Sequence, residues 1–270
     1  MRYWKLLLIT LLLTPACASS PQTEHYRYQQ LDFQSRDGRR AYRVTIGLPT
    51  AAAPEGGYPV LYMLDGAAAL KGLTPGRLSR LQGGDWPVLV TIAYHSDART
   101  GRAFDYTPVP KHSHSVPAGH EYGGADGFWK LIEDEIKPAV GRAAAVNPER
   151  QTLWGHSFGG LFVLHTLFHY PESYQRYVAA DPSLWWQNGQ LLKAEKAYRE
   201  RQQWPATTLL LQRSSSHRSG STVPENATRD MARRLSELPA MEVQYTDYFN
   251  HHHGSVRDVS IPTALSMAQQ

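Results

Sequence analysis

Residues 151–164 read QTLWGHSFGGLFVL, and the fold turns on them. Gln151 to Gly155 reads as a short buried strand, and Phe158 to Tyr170 carries apolar residues over the length of a helix. Between the two, Gly155-His156-Ser157-Phe158-Gly159 matches G-x-S-x-G, the pattern that sets a serine on a sharp strand-to-helix turn with its hydroxyl exposed. Side chains at 155 and 159 are expected to collide with neighbouring backbone in such a turn, which accounts for glycine at both positions. The helix N-terminus behind Ser157 favours negative charge developing nearby. No phosphate-loop lysine follows, which disfavours nucleotide binding.

Working outward, Pro59 to Leu64 (PVLYML) and Pro87 to Ala93 (PVLVTIA) are continuous apolar runs, as strands covered on both faces require. The helix-compatible stretch between them, Ala68 to Leu81, is interrupted at Pro75-Gly76. Upstream, Tyr26 to Phe33 and Ala41 to Leu48 alternate around the polar Ser35-Arg36-Asp37-Gly38 and predict an antiparallel hairpin. Tyr94 to Gly124 has no periodicity and predicts a long functional or disordered loop. Helices are expected over Phe128 to Val140, with Asp126 as N-cap, and over Glu225 to Leu238 and Ile261 to Met267. Strands are expected at Tyr177 to Ala180, Thr207 to Gln212 and Met241 to Tyr248. Alternation of this kind predicts an α/β fold: one doubly wound, mostly parallel sheet over residues 25–268, opened by the hairpin.

A serine hydroxyl needs a base. In α/β-hydrolases the histidine comes last in the chain, after the final strand, where this sequence has Asn250-His251-His252-His253-Gly254. Adjacent histidines do not easily converge on one ion, so the tract is read as catalytic rather than metal-binding, with His253, beside the flexible Gly254, as the base. The orienting acid usually follows the strand that here is Thr207 to Gln212, yet Arg213-Ser214-Ser215-Ser216-His217 holds no carboxylate. Asp181 in Asp-Pro-Ser is the best substitute and Glu225 the second; a turn residue at 181 and a bare Ser–His dyad fit equally well. Oxyanion-hole N–H groups are expected from Phe158 and from Ala67, where Gly66 allows close approach after the buried Leu61 to Leu64.

Composition sets the remaining bounds. Hydrophobic residues at 41% and charged residues at 19% exclude a disordered chain and a multi-span membrane protein. Lys plus Arg at 28 against 24 acids is too small a surplus for nucleic-acid binding. One cysteine, Cys17, excludes an internal disulfide framework and a Cys-based zinc site. It lies in MRYWKLLLITLLLTPACAS, where Arg2 and Lys5, the apolar Leu6 to Leu13 and the small residues Ala16-Cys17-Ala18 read as an export signal. Eight apolar residues make a helix of about 12 Å, too short for the ~30 Å hydrocarbon core, so no membrane span is expected. Cleavage after Ala18 releases a soluble periplasmic protein; read as a lipoprotein box, the same segment ends before Cys17, which becomes a lipidated N-terminus. Either route removes Arg2 and Lys5, and no acid, so the surplus drops from +4 to +2.

These pieces resemble the esterase family of α/β-hydrolases, and within it the periplasmic trilactone esterases that hydrolyse enterobactin and salmochelin siderophores. The matching text is Val60-Leu61-Tyr62-Met63-Leu64-Asp65-Gly66, Phe104-Asp105-Tyr106-Thr107-Pro108, Gly123-Gly124-Ala125-Asp126-Gly127-Phe128, the segment Leu153 to Phe162, Pro182-Ser183-Leu184 and His253-Gly254. The resemblance implies an ester hydrolase with a Ser157–His253 dyad, hole donors at Ala67 and Phe158, and no conventional acid. It implies catecholate contact at Arg102, and a ferric catecholate would also suit the aromatic surfaces of Trp185 and Trp186, whose alternative role is core packing. At Asp181 the family usually has Ser, and at Ala67 commonly Asn. No cofactor is called for; iron would belong to the substrate. A general carboxylesterase for small or aromatic esters, and a non-catalytic ferric-siderophore-binding module, are the alternatives that the same residues allow.

Overall fold

Alternation along the strands decides which helices cover which face. In the computed structural model, which describes residues 24–96, 98–111, 119–216 and 221–270, Val60, Tyr62 and Leu64 face one apolar core while Leu61 and Met63 face another. Eight strands form one sheet in the order β1-β2-β4-β3-β5-β6-β7-β8. They are β1 (Tyr26–Gln34), β2 (Ala41–Pro49), β3 (Tyr58–Met63), β4 (Val88–Tyr94), β5 (Val146–His156), β6 (Arg176–Ala180), β7 (Thr207–Ser214) and β8 (Met241–Tyr248). The hairpin β1–β2 and the pair β2–β4 are antiparallel, and every other pairing is parallel, as the sequence predicts.

The larger core lies under α4 (Ala125–Leu131), α5 (Lys137–Ala143), α6 (Phe158–His169), α7 (Gln190–Arg199) and α8 (Ala227–Leu235). The smaller one is closed by α1 (Gly66–Gly72), α2 (Pro75–Leu78) and α9 (His253–Ala268). Helix α6 is apolar on all sides, and Gly159 to Phe168 are all buried, because it is sandwiched between sheet and neighbouring helices.

Four local expectations are corrected. Tyr94 to Gly124 is not all loop: α3 (Ala98–Asp105) lies in it, hidden by Gly101, where a Cβ would stand 2.5 Å from the Tyr94 ring. Asp126 is not an N-cap; Gly124 is, and the Asp126 carboxylate instead meets His165 Nε2 at 2.8 Å and the Tyr170 hydroxyl at 3.0 Å. Helix α7 has no counterpart in the sequence reading. The last helix begins at His253, eight residues before Ile261, and runs through Pro262. The expected leader, Cys17 included, lies outside the described residues. No helix among the described residues is long and apolar enough to cross a membrane.

Parallel strands present their carboxyl ends along one edge, where ligands bind in open α/β sheets. Asp65, Ser157, Asp181 and Ser215 follow β3, β5, β6 and β7 there, and the turn after β8 leads to His253.

Candidate active site

Ser157 sits between β5 and α6 with φ 61° and ψ −118°, a conformation that costs a non-glycine residue about 1–3 kcal/mol and persists only where the surroundings impose it. Here the Ser157 N–H is tied to the Ala180 carbonyl at 3.0 Å, and its own carbonyl accepts the Leu161 and Ser183 N–H groups. A Cβ at Gly155 would lie 2.5 Å from the Gly159 carbonyl carbon, so 155 has to be glycine. The expected clash at Gly159 itself is absent, since its nearest neighbour would be Leu64 at 3.6 Å. Gly160 is the tighter position, 3.0 Å from Pro182 Cα.

His253 is brought to Ser157 across the cleft. Its Nε2 lies 2.9 Å from Ser157 Oγ, and its Nδ1 lies 2.7 Å from Asp181 Oδ2. Asp181 is itself in the left-handed region, φ 44°, with its N–H on the Gln212 carbonyl and Oδ1 accepting the Ser214 N–H at 3.1 Å. Burial works to raise the Asp181 carboxyl, but the hydrogen bonds from His253 and Ser214 outweigh it and hold the group below its ordinary value. An ionised Asp181 keeps the proton on Nδ1 and leaves Nε2 to accept from the serine. Glu225, the second candidate acid, is instead paired with Arg213 at 2.9 Å.

The histidine is fixed from two more sides. Its N–H donates to Ser216 Oγ at 2.9 Å, and its carbonyl lies 2.7 Å from His156 Nε2. Burial, and then repulsion from His253, push His156 down to about 4, so it is neutral and donates that bond at ordinary pH. Of the other two histidines, His252 caps α9 in an extended conformation and His251 Nδ1 lies 3.3 Å from Ser255 Oγ; neither reaches Ser157. Among the described residues no group of three or more His, Cys, Asp or Glu could hold a metal ion.

Phe158 and Ala67 fall in the first turns of α6 and α1, where N–H groups have no intrahelical acceptor. Both border the cleft at Ser157. The α1 N-terminus is pressed on β4 so closely that a Cβ at Gly66 would stand 2.5 Å from the Ile92 carbonyl carbon. Asp65, also left-handed at φ 51°, donates its N–H to the Tyr106 hydroxyl and takes Arg102 in a two-pronged ion pair at 2.8 and 3.0 Å. Arg102 thus reaches the cleft wall with its donors engaged on Asp65, and it also lies 3.4 Å from the His156 carbonyl. Burial disfavours its charge, yet the Asp65 carboxylate outweighs that and raises its pKa.

The two tryptophans part company. Trp185 lines a cavity of about 540 Å³ with Tyr122, Phe158, Arg213 and Ser157. Trp186 is 0% exposed, packed beneath Tyr122 and edge-on to Phe158, so it belongs to the core and not to the cleft surface. Sequence reasoning missed Ser214, Ser216 and His156. Ser214 contributes a backbone N–H, which leaves no mark in a sequence; His156 occupies a free position of the serine motif. A larger cavity of about 1020 Å³ opens at the opposite, amino-terminal edge of the sheet among Glu149, Arg176 and Glu242, away from Ser157.

The family described as "Putative esterase" matches residues 35–254. The chain is 39% identical over 167 residues to the apo-salmochelin esterase of Escherichia coli O6:H1, a stretch that is 59% of this chain and about half, 52%, of that protein's length. It is 31% identical over 251 residues to the ferri-bacillibactin esterase BesA of Bacillus subtilis, covering 87% of this chain and 86% of that one. Among solved structures, the enterobactin hydrolase IroE in complex with DFP superposes with a TM-score of 0.79 at 28% identity, over 92% of this chain and 98% of that one.

Proposed function

The chain belongs to the esterase family, and from that premise we propose that it is a serine hydrolase cleaving the ester backbone of a catecholate siderophore. The hydrogen-bonded series Ser157 Oγ, His253 Nε2, His253 Nδ1, Asp181 Oδ2, at 2.9 and 2.7 Å, carries the reading. Names borne by the relatives, salmochelin and bacillibactin esterase, support the substrate class. So does a cleft that offers the Tyr122, Phe158 and Trp185 rings to a catechol, with the guanidinium groups of Arg102 and Arg213, each ion-paired to a carboxylate, on its wall.

In this mechanism His253 takes the Ser157 proton as Oγ attacks the ester carbonyl, and Asp181 stabilises the imidazolium. The oxyanion is held by the Phe158 and Ala67 N–H groups. His253 then protonates the leaving alkoxide, an acyl-enzyme remains, and water attacks it with His253 again as base. The chemistry needs no cofactor. Iron enters, where it does, on the substrate.

Export to the periplasm through the Met1–Ala18 leader, with Cys17 as the anchoring point of a lipoprotein form, completes the proposal together with a single hydrolase domain over 25–268. The test incubates the protein with ferric and iron-free enterobactin and follows the linear products by mass spectrometry, with p-nitrophenyl esters as controls. Ser157→Ala is expected to abolish turnover. Unchanged product formation by that variant would sink the serine mechanism, and an inactive native protein that binds the ferric siderophore would make the chain a carrier.

A further inference from the structure

Two cavities meet at the nucleophile. The larger, about 540 Å³, is the aromatic cleft described above. The smaller, about 380 Å³, opens on the other side, under α1 and α3. Arg102, Ser157 and His253 line both, so Ser157 Oγ stands on the saddle between them. The two hole donors are divided in the same way, Phe158 on the larger side and Ala67 on the smaller. An ester attacked at the saddle extends two groups from its carbonyl in opposite directions, one from the acyl carbon and one from the alkoxy oxygen.

We infer that the smaller cavity is a second substrate subsite, which takes one half of the ester and limits it to a compact, uncharged or anionic group about the size of one ring. This rests on the ester-hydrolase reading above. Its walls are the methyl groups of Ala67, Ala68, Ala93 and Ala98 and the Tyr94 ring. Its volume is near the low end of ligand cavities, roughly 300–1,000 Å³. Walls of methyl groups stabilise an apolar occupant through burial and offer no partner to an ammonium group. Among the described residues the carboxylate on the wall is Asp65, which Arg102 already engages, and Arg257 at the rim pairs with the exposed Asp258 at 3.2 Å. Among these residues a cationic group finds no carboxylate that is not already paired. The same close approach of α1 to β4 that makes Gly66 obligatory brings Ala67 and Ala68 of α1 and Ala93 of β4 to one cavity.

The test uses Ala68→Leu and Ala98→Leu, neither at a fully buried position, with three esters. p-Nitrophenyl benzoate carries a ring in each half; p-nitrophenyl acetate and methyl benzoate carry a ring in one. In both variants kcat/KM for p-nitrophenyl benzoate is expected to fall at least about tenfold relative to one of the single-ring esters, the scale on which a methylene too many is rejected. The ester that is spared identifies the half that enters the small cavity. If all three fall together, or none falls, the inference is overturned. Were the native protein to turn over none of them, the hydrolase reading would fail, and binding of intact p-nitrophenyl benzoate, read by tryptophan fluorescence, would still judge the cavity. About tenfold weaker binding in both variants supports the subsite, and equal binding refutes it.

Discussion

Asp181→Asn separates a working carboxylate from a turn residue. One oxygen of Asp181 accepts from His253 Nδ1 at 2.7 Å and the other from the Ser214 N–H at 3.1 Å. An asparagine cannot serve both. The Ser214 N–H can only donate, so the amide oxygen turns toward it and the NH2 faces Nδ1. Nδ1 must then accept, the imidazole proton moves to Nε2, and the ring offers Ser157 a donor where the chemistry needs an acceptor. Loss of a hydrogen bond to a charged group costs about 1.5–3 kcal/mol, or roughly 10–150-fold in rate. The inverted tautomer adds to this, and in triads of this geometry the combined fall reaches about 10⁴.

We therefore expect kcat on p-nitrophenyl acetate to fall by about 10³–10⁴ in Asp181→Asn, with a much smaller change in KM and an unchanged thermal melt. Phosphorylation of Ser157 by DFP should slow in parallel, since it needs the same proton transfer. Asp181→Ser sharpens the reasoning, because a hydroxyl can donate or accept and imposes neither tautomer. It should retain more activity than the asparagine variant. A rate for Asp181→Asn within a few-fold of native would remove the acid from the mechanism and leave a Ser157–His253 dyad. Equal losses in the two variants would refute the tautomer argument.

Two further outcomes follow from burial. His156 is held neutral down to about pH 4 in the folded protein, while in the unfolded chain it takes a proton below its ordinary value of 6.5. Its depressed value thus contributes stability that is present above pH 6.5 and is lost as pH falls toward 4, on the order of 3 kcal/mol; urea melts at pH 7 and 4 should show a smaller acid loss in His156→Gln than in the native protein. Trp186→Ala empties a fully buried site and should cost about 3–5 kcal/mol in the same melts, whereas Trp185→Ala, at a half-buried ring packed on Phe158, should cost clearly less and raise KM for aromatic esters, so that equal destabilisation by the two would contradict the division between core and cleft.

How much of the fold was legible depended on where apolar burial wrote a period into the chain. The strands β3 and β4 are buried on both faces and read as continuous apolar runs; the hairpin alternates because β1 is half exposed. Helix α3 left no such trace. It carries Gly101 where the Tyr94 ring demands it, and its single large apolar side chain is Phe104. The start of α9 was hidden for a different reason: His253-Gly254-Ser255 opens it with residues of low helix propensity and no apolar period.

Within the site, Ser157 and His253 were legible from their places in chain order, whereas Asp181 was legible only as the first of several candidates, beside Glu225, a turn residue and a bare dyad. Sequence reading looks for the acid after β7, and that stretch, Arg213 to His217, holds no carboxylate. Parallel strands lie about 4.8 Å apart, so the carboxyl end of β6 is within one side chain of the end of β7. The β6–β7 register pairs Ala180 with Gln212, which puts the next residue, Asp181, beside Arg213. Its left-handed backbone and its N–H on the Gln212 carbonyl then swing the carboxylate over the end of β7, where the Ser214 N–H receives it. A carboxylate on one strand thereby occupies the place normally filled from the next. Nothing in the linear sequence distinguishes that from a turn-forming Asp-Pro, because the distinction lies in the register of two strands and in one backbone N–H. For the same reason a serine at 181, with a shorter side chain from the same backbone, would leave the Ser214 N–H and His253 Nδ1 without a shared anion, and a hydrolase on this fold would then work as a dyad.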